Sequence, residues 1–165
     1  MYLALIAVSL TYLPMAYQDF KDRMVSDIYL ALPYVSFIVT MYALPYLAMS
    51  AVLGVAAAIL YKRGLLAIGD VAAAPLIFSS GIWYVIVAIV LVFGFHMVWF
   101  ISKNGMKFNR QVNVDVAKKD AKWIPGELDD KGLVNETYGV PLAGYIALGN
   151  MIGIMAYSIL MTLGI

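Results

Sequence analysis

Residues 62–81 read KRGLLAIGDVAAAPLIFSSG, and the reading of this stretch decides how often the chain is expected to cross a bilayer. A helix needs about 20 mostly apolar residues to span roughly 30 Å of hydrocarbon at about 1.5 Å per residue. The piece from Asp70 to Ser80 is too short for that. Begun at Gly64, directly after Lys62 and Arg63, it becomes long enough, and Asp70 then lies about two helical turns inside it. Working outward, apolar segments cover residues 2–18 and 28–44, and Pro45 turns the chain into a third that ends near Tyr61. Ser79, Ser80 and Gly81 turn it into a fifth ending near Phe100, and a sixth covers residues 138–163. The expected fold is therefore all-α, a bundle of six transmembrane helices. It forms one integral-membrane domain over residues 1–165, with a small cytoplasmic segment, residues 102–137, between the fifth and sixth helices.

Composition points the same way. Of 165 residues, 64% are hydrophobic and 13% charged, and the mean hydropathy is +0.87. A soluble domain is about half apolar and about a quarter charged. The solvent of such a chain is expected to be lipid. A net charge of +1, made of few and locally balanced charges, offers no footprint for nucleic acid. The absence of cysteine excludes disulfides, thiolate catalysis and cysteine-ligated metal. The opening MYLALIAVSLTYLPMAY has no basic stretch and no small-residue cleavage site, so it is expected to be a retained helix, not a signal peptide.

Charge sets the expected orientation. Lys21 and Arg23 fall between the first and second segments, Lys62 and Arg63 between the third and fourth, and every basic residue from Lys103 to Lys131 between the fifth and sixth. The opposite connections and both ends carry no Lys or Arg. The positive-inside rule makes the basic side cytoplasmic and both termini extracytoplasmic in a plasma membrane crossed several times. Within residues 102–137, FNRQVNVDV (108–116) alternates in part and suggests a short strand. Trp123, Pro125 and Gly126 read as a turn, and the whole is expected to be a small cap on the helix ends.

Elimination narrows the chemistry. The single histidine, His96, rules out a two-histidine zinc motif, and it lies within an apolar segment, where a packed or hydrogen-bonded role is the simpler reading. No phosphate-binding loop or dinucleotide fingerprint is present, and no cofactor or metal is expected. What remains is carboxylate. Asp70 is the one acid inside an apolar segment, and ionisable groups there are functional candidates. Asp19, in YQDFKDR, closes the first segment on the same side. Val71 to Ala74 (VAAA) permits close helix approach, and Pro75 removes a backbone donor beside Asp70. Two carboxylates a few ångströms apart share a proton: one acts as base on a water while the other polarises a carbonyl, which suffices for peptide hydrolysis. The plainer alternative is that Asp19 caps its helix or pairs with Lys21 or Arg23.

At these residues the sequence resembles the type IV prepilin peptidase and archaeal preflagellin peptidase family. That family carries one catalytic aspartate at the cytoplasmic end of its first helix, followed by basic residues. Asp19 with Lys21, Arg23 and Met24-Val25-Ser26 is similar to this. Its second aspartate ends a Gly-x-Gly-Asp motif, which Ala67-Ile68-Gly69-Asp70 matches at Gly69 and Asp70. Ala67 replaces the first glycine, and Ala72 stands where many relatives have lysine. Without cysteine, the chain resembles the shorter archaeal form, not the bacterial form with its four-cysteine zinc segment.

The resemblance implies catalytic Asp19 and Asp70, with Gly69 and Pro141 as substrate contacts. The implied partners are membrane-protein precursors bearing short basic leader (class III signal) peptides, cut at the cytoplasmic membrane face. Glu127, Asp129 and Asp130 offer either attraction for such a leader or simply a solvated acidic turn. The competing class is a non-enzymatic membrane protein, an assembly scaffold or a small transporter subunit. A transporter needs inward-facing polar groups near the midplane of several helices, and these segments have few.

Overall fold

In the computed structural model, residues 2–40, 44–77, 82–117 and 122–164 are described. The chain is organised around its last helix, α8 (Leu142–Leu163). One face of α8 is small: Ala143, Gly144, Ala147, Gly149, Asn150 and Gly153 are all buried. Helix α6 (Ile82–Asn104) lies against this face so closely that a Cβ on Gly153 would stand 2.5 Å from the Val85 backbone, and one on Gly149 would overlap Ile89. Small residues at a helix contact allow such backbone approach. On the other side α8 meets α1 (Tyr2–Ser9) and α2 (Leu13–Asp22), and the common core holds Leu5, Tyr12, Met15, Leu76, Val85, Ile146 and Ile154.

Two helices, α6 with 23 residues and α8 with 22, are long and apolar enough to cross a membrane. This corrects the expected six-helix bundle: among the described residues two such helices are found, not six. The reason is interruption of the helices, not shortage of apolar residues. Between α1 and α2 the chain tightens into a 3-10 turn, Leu10–Tyr12, because Pro14 has no N–H and the Leu10 carbonyl takes the Leu13 amide instead. Helix α3 (Asp27–Thr40) has 14 residues, about 21 Å of rise. Helix α4 (Leu44–Lys62) has 19 residues and carries Pro45 in its first turn.

The decisive stretch breaks at both ends. The amides of Gly64 and Leu65 fold back on the carbonyls of Tyr61 and Leu60 (2.8 and 3.0 Å), ending α4. Helix α5 then begins only at Ile68, runs to Ala73, and gives way to a 3-10 turn, Ala74–Ile77, around Pro75. The expected turn at Ser79, Ser80 and Gly81 lies outside the described residues.

Nor is the chain all-α. Strands β1 (Asn109–Asn113), β2 (Trp123–Leu128) and β3 (Leu133–Tyr138) form an antiparallel sheet in the order β1-β3-β2, and a single helical turn, α7 (Val114–Ala117), follows β1. Val112 pairs with Val134 and Trp123 with Tyr138. The expected strand within 108–116 is β1, whereas Trp123, Pro125 and Gly126, read as a turn, lie in β2. The sheet sits on the C-terminal end of α6 through a cluster of Phe100, Trp123 and Tyr138, with the Phe100 and Tyr138 rings 4.1 Å apart. Buried Glu136 is paired with Arg110 at 2.7 Å, and Arg110 lies over the Trp123 ring.

Candidate functional site

The start of α8 has no side-chain cap of its own. Its N-cap is Pro141, which is fully buried and offers neither a hydroxyl nor a carboxyl. A helix leaves its first amides without intrahelical acceptors, so these must be satisfied from outside. The accounting closes as follows. Leu142 N–H reaches the Val140 carbonyl at 2.9 Å and Tyr145 N–H the Pro141 carbonyl at 3.0 Å. Ala143 N–H donates to Asp70 Oδ1 at 3.1 Å, and Gly144 N–H donates to Asp19 Oδ2 at 2.6 Å. Two consecutive amides thus hold two carboxylates that lie far apart in sequence.

Each carboxylate is positioned by its own helix. Asp19 stands in the last turn of α2 and is 5% exposed. Asp70 is in the first turn of α5, where Oδ2 also accepts the Ala67 amide at 3.3 Å and so caps α5 from within. Gly144 is where the approach is tightest: a Cβ there would lie 3.0 Å from the Phe20 ring and 3.2 Å from Asp19 Oδ2. Gly69 precedes Asp70 and faces Val25 across ordinary contact distance.

Both carboxyls lie outside the two long apolar helices. Burial pushes Asp19 up to about 6; the Gly144 amide pulls it down, Asp70 pushes it up, and the Arg23 guanidinium pulls it down. Burial likewise raises Asp70, opposed by the amides of Ala67 and Ala143. The partial positive charge of a helix N-terminus favours anions placed there, so the pair can hold one negative charge and one proton. Arg23 directs its guanidinium to the main-chain carbonyls of Asp19, Phe20 and Gly139 and to Tyr138. Lys21 lies over the Tyr17 ring at 5.8 Å.

The structure therefore brings together Asp19, Asp70 and Pro141, with Gly69 beside them. Ala143 and Gly144 were not foreseen, although a signal existed. GVPLAG opens an apolar helix without Ser, Thr, Asp or Asn at its head, so its amides need acceptors from elsewhere. His96 also has partners that the sequence did not disclose: Nδ1 bonds Tyr145 and Nε2 lies 3.1 Å from Tyr138 Oη. Among the described residues no three His, Asp or Glu side chains converge as a metal site would require. An apolar groove of about 370 Å³, lined by Trp83, Tyr84, Val87, Leu91, Ile152 and Ala156, lies between α6 and α8. Its α6 residues come from the helix's first three turns, whereas the carboxylates meet the first turn of α8. No family model, curated protein or solved structure matches this chain.

Proposed function

We propose that this chain is an aspartic-type endopeptidase of the prepilin and preflagellin peptidase kind. Its substrates would be membrane-protein precursors carrying short basic leaders. The observation that supports this reading is the convergence of Asp19 and Asp70 on the adjacent amides of Ala143 and Gly144. In the reaction, the ionised carboxyl takes a proton from a water, whose oxygen attacks the scissile carbonyl. The protonated carboxyl donates to that carbonyl oxygen, and collapse of the tetrahedral species expels the amine with a proton from the pair. The main-chain amides of Ala143 and Gly144 keep both carboxyls in place.

In this reading α6 and α8 cross the plasma membrane, and the segment joining them is cytoplasmic because it carries Lys103, Lys107, Arg110, Lys122 and Lys131. The carboxylates meet α8 at that same end, which is the depth at which a basic leader joins a membrane helix. The end of α8 near Leu163 is then extracytoplasmic.

The test is precursor cleavage on membranes carrying equal amounts of each variant. Asp19→Asn and Asp70→Asn each keep an oxygen acceptor for the α8 amides, so the helix start remains capped, but neither can share the proton. Each should abolish cleavage while leaving the protein inserted. Cleavage by Asp70→Asn near the wild-type rate would reduce the pair to helix caps and leave a scaffold as the function.

A further inference from the structure

A second polar system stands beside the carboxylates, and it has a direction. Arg23 occupies the left-handed position after α2 (φ 55°). It donates from Nε to the Gly139 carbonyl at 2.7 Å and from Nη1 to the carbonyls of Asp19 and Phe20 at 2.9 and 3.0 Å. Its Nη2 donates to Tyr138 Oη at 2.7 Å. Tyr138 Oη in turn lies 3.1 Å from His96 Nε2, while His96 Nδ1 is bonded to Tyr145 Oη. A guanidinium can only donate. Tyr138 therefore accepts from Arg23, and its O–H, donated to His96, would make Nε2 the acceptor. A neutral imidazole that accepts at Nε2 carries its proton on Nδ1, and that N–H donates to Tyr145. Each link points from Arg23 toward the residue next to Gly144.

We infer that Arg23, acting through Tyr138, holds His96 as the neutral Nδ1–H tautomer, and that this run is a positioning device for the start of α8. It joins the end of α2, the last residue of β3, the middle of α6 and the first turn of α8, and so ties the helix that carries Asp19 to the helix start whose amides receive the carboxylates. Aromatic contacts hold the imidazole plane. Trp99 stacks on His96 with centroids 5.6 Å apart, and Phe20 meets both His96 and Tyr145 edge-on, at 5.5 and 5.6 Å. Neither His96 nor Tyr138 need touch substrate. The positioning half of the inference rests on Asp19 and Asp70 being the reacting pair; the tautomer half does not.

His96 is the sole histidine, so full-length protein labelled with 15N-histidine gives one pair of ring-nitrogen signals. The expected spectrum shows a protonated Nδ1 and a bare Nε2. Tyr138→Phe keeps the ring packed against Phe100 and Trp123 but removes the hydroxyl, and it should move proton density to Nε2. Arg23→Met should do the same, by releasing the Tyr138 hydroxyl. A wild-type proton on Nε2, or a Tyr138→Phe spectrum identical to wild type, overturns the assignment. For positioning, Tyr138→Phe and Tyr145→Phe should lower kcat roughly tenfold or more with KM little changed, as small displacements of reacting groups do. Unchanged kcat in both, with the tautomer moved in Tyr138→Phe, overturns the positioning role. The endopeptidase reading fails separately, through cleavage by the Asp→Asn variants, and the nitrogen spectrum is read the same way whatever their activity.

Discussion

The two ends of the α6–α8 pair satisfy their polar groups in opposite ways. Toward the C-terminal end of α8 hydroxyls bond within their own helix: Ser158 donates to the Ile154 carbonyl at 2.7 Å and Thr162 to the Ser158 carbonyl at 2.7 Å. At the other end the bonds that fix the carboxyls come from far along the chain. The amides of Ala143 and Gly144 rely on carboxyls 73 and 125 residues away in sequence, and Arg23 reaches a carbonyl 116 residues distant. Locally satisfied polar groups cost little and carry no geometry, whereas groups satisfied from three other elements can exist in one arrangement only. Chemistry that depends on ångström placement belongs at the second kind of end.

After the loss expected of the Asp→Asn variants, the largest effect comes from lengthening a carboxylate at the non-local end. Asp19→Glu or Asp70→Glu keeps charge and acid strength but moves the oxygens by about an ångström, which should cost on the order of 100-fold in precursor cleavage. Near wild-type turnover from either would remove the contrast. A steric change in the middle of the pair should act on stability instead. Gly153→Leu forces α6 off α8 and should destabilise by about 1–3 kcal/mol or more, read as a lowered unfolding midpoint.

The third expectation is a pH dependence. Asp19 titrates at about 6 in the folded protein against a normal 3.8. A raised folded value means the folded state binds the proton more tightly. Its stabilising contribution is therefore full below about 4 and is lost as pH rises through about 6. Unfolding midpoints should fall across that window in the wild type, and the fall should flatten in Asp19→Asn. An unchanged slope in the variant would place the titration elsewhere. The smallest effect belongs to the self-satisfied end: Ser158→Ala removes both partners of no other element and should cost less than about 1 kcal/mol. A larger loss would show that this end too is tied to its neighbours.

The sequence by itself singled out the candidate residues. With no cysteine and one histidine, carboxylate was the remaining option, and Asp70 was picked for lying inside an expected span, whereas it stands in the first turn of the short α5. It also determined the two long apolar helices and the first strand, since these rest on local period and length. The number of spans was not decided there. Hydropathy sums apolar content along the chain, whereas a helix continues only while each amide finds its carbonyl four residues back, and Pro14, Pro75 and the turn after Lys62 break that rule inside apolar segments. Strand β2 was hidden because Pro125 and Gly126 carry turn chemistry, and pairing with β3 overrides it. Only the tertiary structure decided that Asp19 and Asp70 meet, because what joins them is a pair of main-chain amides, identical in every residue, whose availability depends on Pro141 leaving the start of α8 uncapped.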